Sequence, residues 1–138
     1  STEGTMRIPR PDYNQPASFG SLELRKSNKN EFIGQTVDYS DQECKDVTVR
    51  TLDGLNLPRV DLIKIDVEGH EMSVLEGARE TIERCRPWLV VEALGEQQQE
   101  VRAFLKPLGY EEQTLHSLTG RPGSPHNLIF IPQPSSPI

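Results

Sequence analysis

The chain is short of positive charge, cysteine and long apolar runs, and each shortage excludes a class of function. Lysine and arginine number 15 against 21 aspartates and glutamates, a net charge of −6 at neutral pH. A nucleic-acid partner needs clustered cations to neutralise a run of phosphates, and no such cluster exists here. The same deficit argues against an anionic membrane surface. The longest apolar stretches run four or five residues, far below the roughly 20 that a membrane-spanning helix requires. Residues 1–10 have no apolar centre and do not read as a signal peptide. The two cysteines, Cys44 and Cys85, stand far apart without metal-ligand spacing, and two thiols make no secreted disulfide framework. They read as reduced thiols of a cytoplasmic protein, with Cys85 packed on a helix face. Several chemical signatures are missing as well: GxGxxG, GxxxxGK followed by Ser or Thr, HExxH, paired CxxC and the EF-hand loop. No serine or cysteine sits in a nucleophile arrangement.

What is present fits one domain of ordinary size: 138 residues, 34% of them hydrophobic. Three of the eleven prolines lie before residue 17 and five after residue 121, so the core falls to the middle of the chain. Residues 1–45 read as a loop-rich segment with short strands at 5–8 and 21–24, the second alternating with period two. Three prolines keep residues 9–16 irregular, and residues 28–43 read as loop. Residues 46–131 read as an α/β domain, and residues 132–138 as a frayed tail.

The pattern sharpens from Asp46. Residues 46–50 form a short β-branched strand, and Asp53-Gly54 marks a turn. Residues 60–65 are almost continuously apolar, as a strand buried on both faces of a parallel sheet would be. A helix opens near Glu68, with Met72, Leu75, Ala78, Ile82 and Cys85 on one stripe. Pro87 stops it. Trp88-Leu89-Val90-Val91 is a second buried strand, ending at Glu92. A second helix spans 96–108 with Val101, Phe104, Leu105 and Leu108 inward, closed by Gly109. Strands at 112–115 and 127–131 follow, joined by a Gly/Pro-rich loop as an antiparallel hairpin. This alternation predicts an α/β fold with an open, mostly parallel sheet and one antiparallel strand.

The densest polar cluster is Lys64-Ile65-Asp66-Val67-Glu68-Gly69-His70-Glu71, where a strand hands over to a helix. Ligands of open α/β sheets bind beyond the carboxyl ends of the strands. Gly69 allows a sharp turn or a close backbone approach, and a helix N-terminus favours anionic groups. Asp66 or Glu68 could instead cap the helix, with His70 and Glu71 as wet first-turn residues. Glu92 ends the neighbouring strand on the same edge. Its carboxylate could receive a hydroxyl proton, bind a ligand, or pair with a loop N–H. A metal site built from Asp66, Glu68, His70 and Glu92 matches no known ligand spacing, so none is expected. His116 and His126 flank the hairpin loop and read as surface residues.

Val60-Asp61-Leu62-Ile63-Lys64-Ile65-Asp66-Val67-Glu68-Gly69-His70-Glu71 and Val74-Leu75-Glu76-Gly77-Ala78 closely resemble the signature of FkbM-family methyltransferases, roughly D-x-I-K-I-D-V-E-G-x-E-x-x-V-L-x-G-A. Val47-Thr48-Val49-Arg50-Thr51-Leu52-Asp53 upstream and Pro87-Trp88-Leu89-Val90-Val91-Glu92 downstream are similar to the family's pattern too. Gly109-Tyr110 and Asn127-Leu128-Ile129-Phe130 fit its C-terminal part, while Ser18 stands where the family often has Asn. The resemblance implies a Rossmann-like class I methyltransferase sheet of seven strands, of which this chain would be the C-terminal part. It implies S-adenosylmethionine as cofactor and transfer to an oxygen of a small-molecule substrate, a metabolite or sugar. By position, Asp66, Glu68 and Gly69 would meet the cofactor, and Glu68, Asp66 or His70 would act as the base. Glu92 and Glu71 would meet the substrate. The family's N-terminal glycine-rich turn has no counterpart here. The first buried strand would then carry an open edge, covered by residues 1–45, by a second copy as a homodimer, or by a missing N-terminal half. If none completes the site, the chain is a non-catalytic binding or dimerisation module.

Overall fold

The structure, a computed structural model, describes residues 3–26 and 30–134. Parts of the expected loop at 28–43 and of the expected tail at 132–138 lie outside the described residues. The chain divides into two compact units, one ending at Arg50 and the other starting at Thr51.

In the first unit, β1 (Gly4–Pro9) pairs antiparallel with β2 (Cys44–Val49), Gly4 opposite Val49 and Pro9 opposite Cys44. Pro9 closes the ladder, where a missing donor costs little. The strand expected at 21–24 does not form. Phe19–Ser21 is a 3-10 turn, with the Ser21 amide donating to the Ser18 carbonyl at 3.0 Å. The Ser18 amide in turn donates to the carbonyl of buried Ile33 at 2.7 Å. Four alternating residues without a ladder partner cannot hold an extended strand against such local bonds.

The second unit is a four-stranded sheet of β3 (Leu62–Ile65), β4 (Trp88–Glu92), β5 (Tyr110–Gln113) and β6 (Asn127–Pro132), in the order β3-β4-β6-β5. Only β3 and β4 pair in parallel; β6 pairs antiparallel with both β4 and β5. The expected mostly parallel sheet is therefore mixed. β6 takes the central place because Leu128, Ile129 and Phe130 are all buried, as a strand with neighbours on both edges requires. The first hairpin strand begins earlier than expected, at Tyr110. The residues after it form a short helix, α4 (Leu115–Thr119), closed by a capping box in which the Thr114 hydroxyl accepts from the Ser117 amide.

The single helix expected after Glu68 is two, α1 (Glu71–Glu76) and α2 (Arg79–Cys85). Gly77-Ala78 interrupts it, and Asp53 exploits the break. The Asp53 amide donates to the Gly77 carbonyl at 3.0 Å. Its carboxylate accepts from the amides of Glu80 at 3.1 Å and Thr81 at 2.8 Å. A distant aspartate thus supplies the N-terminal cap that α2 lacks locally. At the other end Arg86 turns left-handed, φ 54°. Its guanidinium donates to the carbonyls of Leu108, Gly109 and Gln133 and lies 5.0 Å from the centre of the Tyr110 ring. Burial pushes the Tyr110 hydroxyl up to about 12 despite that cation. α3 (Gln97–Leu105) continues as a 3-10 turn through Pro107 and ends at left-handed Gly109.

Leu75, Ala78, Ile82, Leu89, Val91, Val101 and Leu105 are fully buried, in one cluster with Ile65, Leu128 and Phe130. Alternation sends these strand residues to the helix-covered face. The opposite face is barer. Leu62 is 57% exposed and its ladder partner Trp88 is 44% exposed. Strands β3 and β4 are therefore buried on one face only, against the expectation of two, and β3 is an edge strand with β4 as its one neighbour in the sheet.

Candidate active site at the carboxyl end of the parallel strands

The parallel register decides what meets at the sheet edge. Ile65 lies opposite Val91, so Asp66 and Glu92 emerge side by side at the carboxyl ends of β3 and β4. Lys64 joins them. Its ammonium is 2.6 Å from Asp66 Oδ2 and 4.0 Å from Glu92 Oε2, all three side chains being about half exposed. Such exposed pairs contribute only about 0–1 kcal/mol. The arrangement matters for placement: one cation holds two carboxylates of neighbouring strands at a common point. The sequence placed Lys64 at the head of the polar cluster but assigned it no role. The signal that could have found it is its spacing, two residues before Asp66 and so on the same side of the chain.

The turn after β3 is built from two consecutive left-handed residues, Glu68 at φ 42° and Gly69 at φ 88°. Glycine takes that conformation freely, whereas a glutamate is held there at a cost of about 1 kcal/mol. Glu68 is exposed. The Gly69 amide donates to Glu71 Oε1 at 3.0 Å, which ties the turn to the first residue of α1. Glu71 is thus not the solvated first-turn charge that its position suggested. It is 4% exposed, and its other oxygen is buried with no hydrogen-bond partner among the described residues. Helical spacing carries it under the turn, where it supports Gly69.

Asp66 does not take the capping role open to it, since its carboxylate is engaged by Lys64. α1 starts at Glu71, and its N-cap is half-buried His70, whose side chain makes no capping bond. Asp66 instead turns back to Lys64. The structure therefore brings Asp66 and Glu92 together and sets Glu68, Gly69, His70 and Glu71 on the adjoining turn. His116 and His126 are exposed, on the hairpin at the same carboxyl-end edge, where Asn127 pairs with Glu92 and the His126 carbonyl accepts from the Ala93 amide at 2.9 Å. Among the described residues no three His, Cys, Asp or Glu side chains gather as a metal ion would need, and Lys64 already supplies positive charge between the two carboxylates.

The edge thus offers carboxylates able to take a proton or face a cationic group, a backbone turn open to close approach, and an internal cation that keeps two of the acids in place. Residues 8–112 match the family model described as the methyltransferase FkbM domain. No curated protein and no solved structure matches the chain.

Proposed function

The chain belongs to the FkbM methyltransferase family, and from that premise we propose that it serves methyl transfer from S-adenosylmethionine to a hydroxyl oxygen of a small metabolite or sugar. The observation that carries this reading is Glu68, a non-glycine residue held left-handed at the exit of a parallel strand. Backbone strain of that kind clusters at functional sites. The sheet supports the same reading. β6 runs against its neighbours between β4 and β5, as the closing hairpin of a Rossmann-like class I methyltransferase sheet would.

When bound, S-adenosylmethionine supplies a methyl group on a cationic sulfur that needs no further activation. The described residues fit that end of it. Asp66, Glu68 and Glu92 present carboxylates to positive charge, and Gly69 leaves room for backbone contact. The glycine-rich turn that would hold the remainder is not among these 138 residues, so binding is expected to be weak. Glu68 accepts the proton of the acceptor hydroxyl. Asp66, engaged by Lys64 at 2.6 Å, orients and stabilises charge, and Glu92 lines the acceptor side. His70, on the same turn, is the reserve base. Glu71 positions Gly69 from below.

Isothermal titration of the 138-residue chain with S-adenosylmethionine, at high protein concentration, tests this. Measurable heat that falls about tenfold or more in Glu68→Ala is the expected result. A folded sample with no heat would sink the chain as a self-sufficient enzyme. The reading would then pass to a non-catalytic assembly module, which the exposed Leu62–Trp88 pair and the edge strand β3 favour.

A further inference from the structure

On the two-stranded ladder of the first unit, two cross-strand pairs of opposite charge behave differently. Arg7 lies opposite Asp46 and closes on it, Nε donating to Oδ1 at 3.1 Å. One step beyond the last ladder pair, Pro9 with Cys44, the Arg10 amide donates to the Glu43 carbonyl at 3.1 Å. That bond sets Arg10 and Glu43 opposite one another as well, and opposite charges so placed normally meet. These do not. Among the described residues neither the Arg10 guanidinium nor the Glu43 carboxylate has an ion-pair or hydrogen-bond partner. Both are exposed, and both line one hollow of about 500 Å³, within the roughly 300–1,000 Å³ of small-molecule sites.

The rest of the wall is fixed by local bonds. The Gln35 carboxamide clasps the Asp12 backbone, Oε1 accepting from its amide at 2.8 Å and Nε2 donating to its carbonyl at 3.1 Å. Both oxygens of the Asp12 carboxylate are taken, one by the Asn14 amide at 2.9 Å and the other by Gln15 Nε2 at 2.8 Å. Asp38 accepts from the Ser40 amide at 2.8 Å and retains acceptor sites, a carboxylate having about four. The bonds from Asn14 and Ser40 hold the Asp12 and Asp38 carboxyls below the usual carboxylate range, so both stay charged. The hollow thus offers one unspent guanidinium fork and two carboxylates with room to accept, Asp38 and Glu43. A simple anion meets an excess of negative charge there, and a simple cation leaves Arg10 unanswered. Among the described residues the carboxylates do not gather as a metal ion would need.

We propose that this hollow binds a free basic α-amino acid. The Arg10 guanidinium takes the α-carboxylate as a bidentate pair, Glu43 takes the α-ammonium, and Asp38 the side-chain cation. The hollow lies in the first unit and needs no methyl donor, so its test does not depend on the methyl-transfer reading. That test is an amide NMR titration of the full chain with L-lysine and L-arginine. Three controls each lack one charge: cadaverine the carboxylate, Nα-acetyl-L-lysine the α-ammonium, and L-glutamate the side-chain cation. At least one basic amino acid is expected to shift the amides of Arg10, Asp12, Gln35 and Glu43 in a saturable way. Each control binds about threefold to tenfold more weakly. Arg10→Gln weakens the amino acid by the same factor and leaves cadaverine unchanged, while Glu43→Gln removes the preference over Nα-acetyl-L-lysine. Both side chains are exposed, so neither change disturbs the fold. Silence from both amino acids, shifts confined to other residues, or a control that binds as tightly as the amino acid would each overturn the proposal.

Discussion

At the scale of single residues, Glu68 and Glu71 divide a task that their sequence positions do not separate. Both are acidic and both flank a helix start, yet one is exposed and held left-handed while the other is buried and bonded to the Gly69 amide. Strain retained in an exposed acid is explained if its chemistry is needed. Replacing Glu68 by glycine removes that strain, so Glu68→Gly is expected to raise stability by about 1 kcal/mol while abolishing the heat of S-adenosylmethionine binding. Urea denaturation reads the first effect and titration the second. A destabilised Glu68→Gly protein would show that the turn depends on the glutamate side chain and would remove strain from the argument. The motif was legible as a cluster at a strand end. The division of labour was not, because burial depends on how α1 seats on the sheet.

At the scale of elements, the interrupted helix is the instructive case. Met72, Leu75, Ala78, Ile82 and Cys85 fit one helical stripe, and periodicity cannot reveal a break that keeps the stripe in phase. The break exists because Asp53, far away in sequence, caps the second half. Asp53→Ala leaves the Glu80 and Thr81 amides without that acceptor and is expected to cost about 1–2 kcal/mol. Asp53→Asn, which keeps one oxygen, should recover about half of it in chemical denaturation. Equal losses in the two variants would show that the charge rather than the cap is what α2 uses. α4 was hidden for a related reason: it is a single exposed turn whose two apolar residues, Leu115 and Leu118, are too few to establish a helical period.

At the scale of the whole molecule, the buried cluster draws every member from the unit that starts at Thr51. β2 groups with the first unit because its ladder partner is β1. A fragment of residues 51–138 is therefore expected to unfold in one cooperative transition, with the near-ultraviolet signal of Trp88 and Tyr110 retained in the folded state. Loss of cooperativity in that fragment would mean that residues before Thr51 complete its core. The same unit presents Leu62 and Trp88 on a bare sheet face beside an edge strand. Unpaired edges such as that of β3 invite further strands.

The sequence by itself determined the α/β class, the β3–turn–α1 motif, the two buried helix stripes, the closing hairpin and the acidic edge at Asp66, Glu68 and Glu92. All of these rest on local periodicity, on turn-forming residues or on motif spacing, which the chain carries in consecutive positions. Tertiary structure alone decided the rest. The parallel register set Asp66 beside Glu92 and put Lys64 between them. The insertion of β6 between β4 and β5 made the sheet mixed. The seating of α1 buried Glu71, and the reach of Asp53 split a helix in two. Each of these joins residues distant along the chain or fixes which face of an element is covered, and no local pattern encodes that choice.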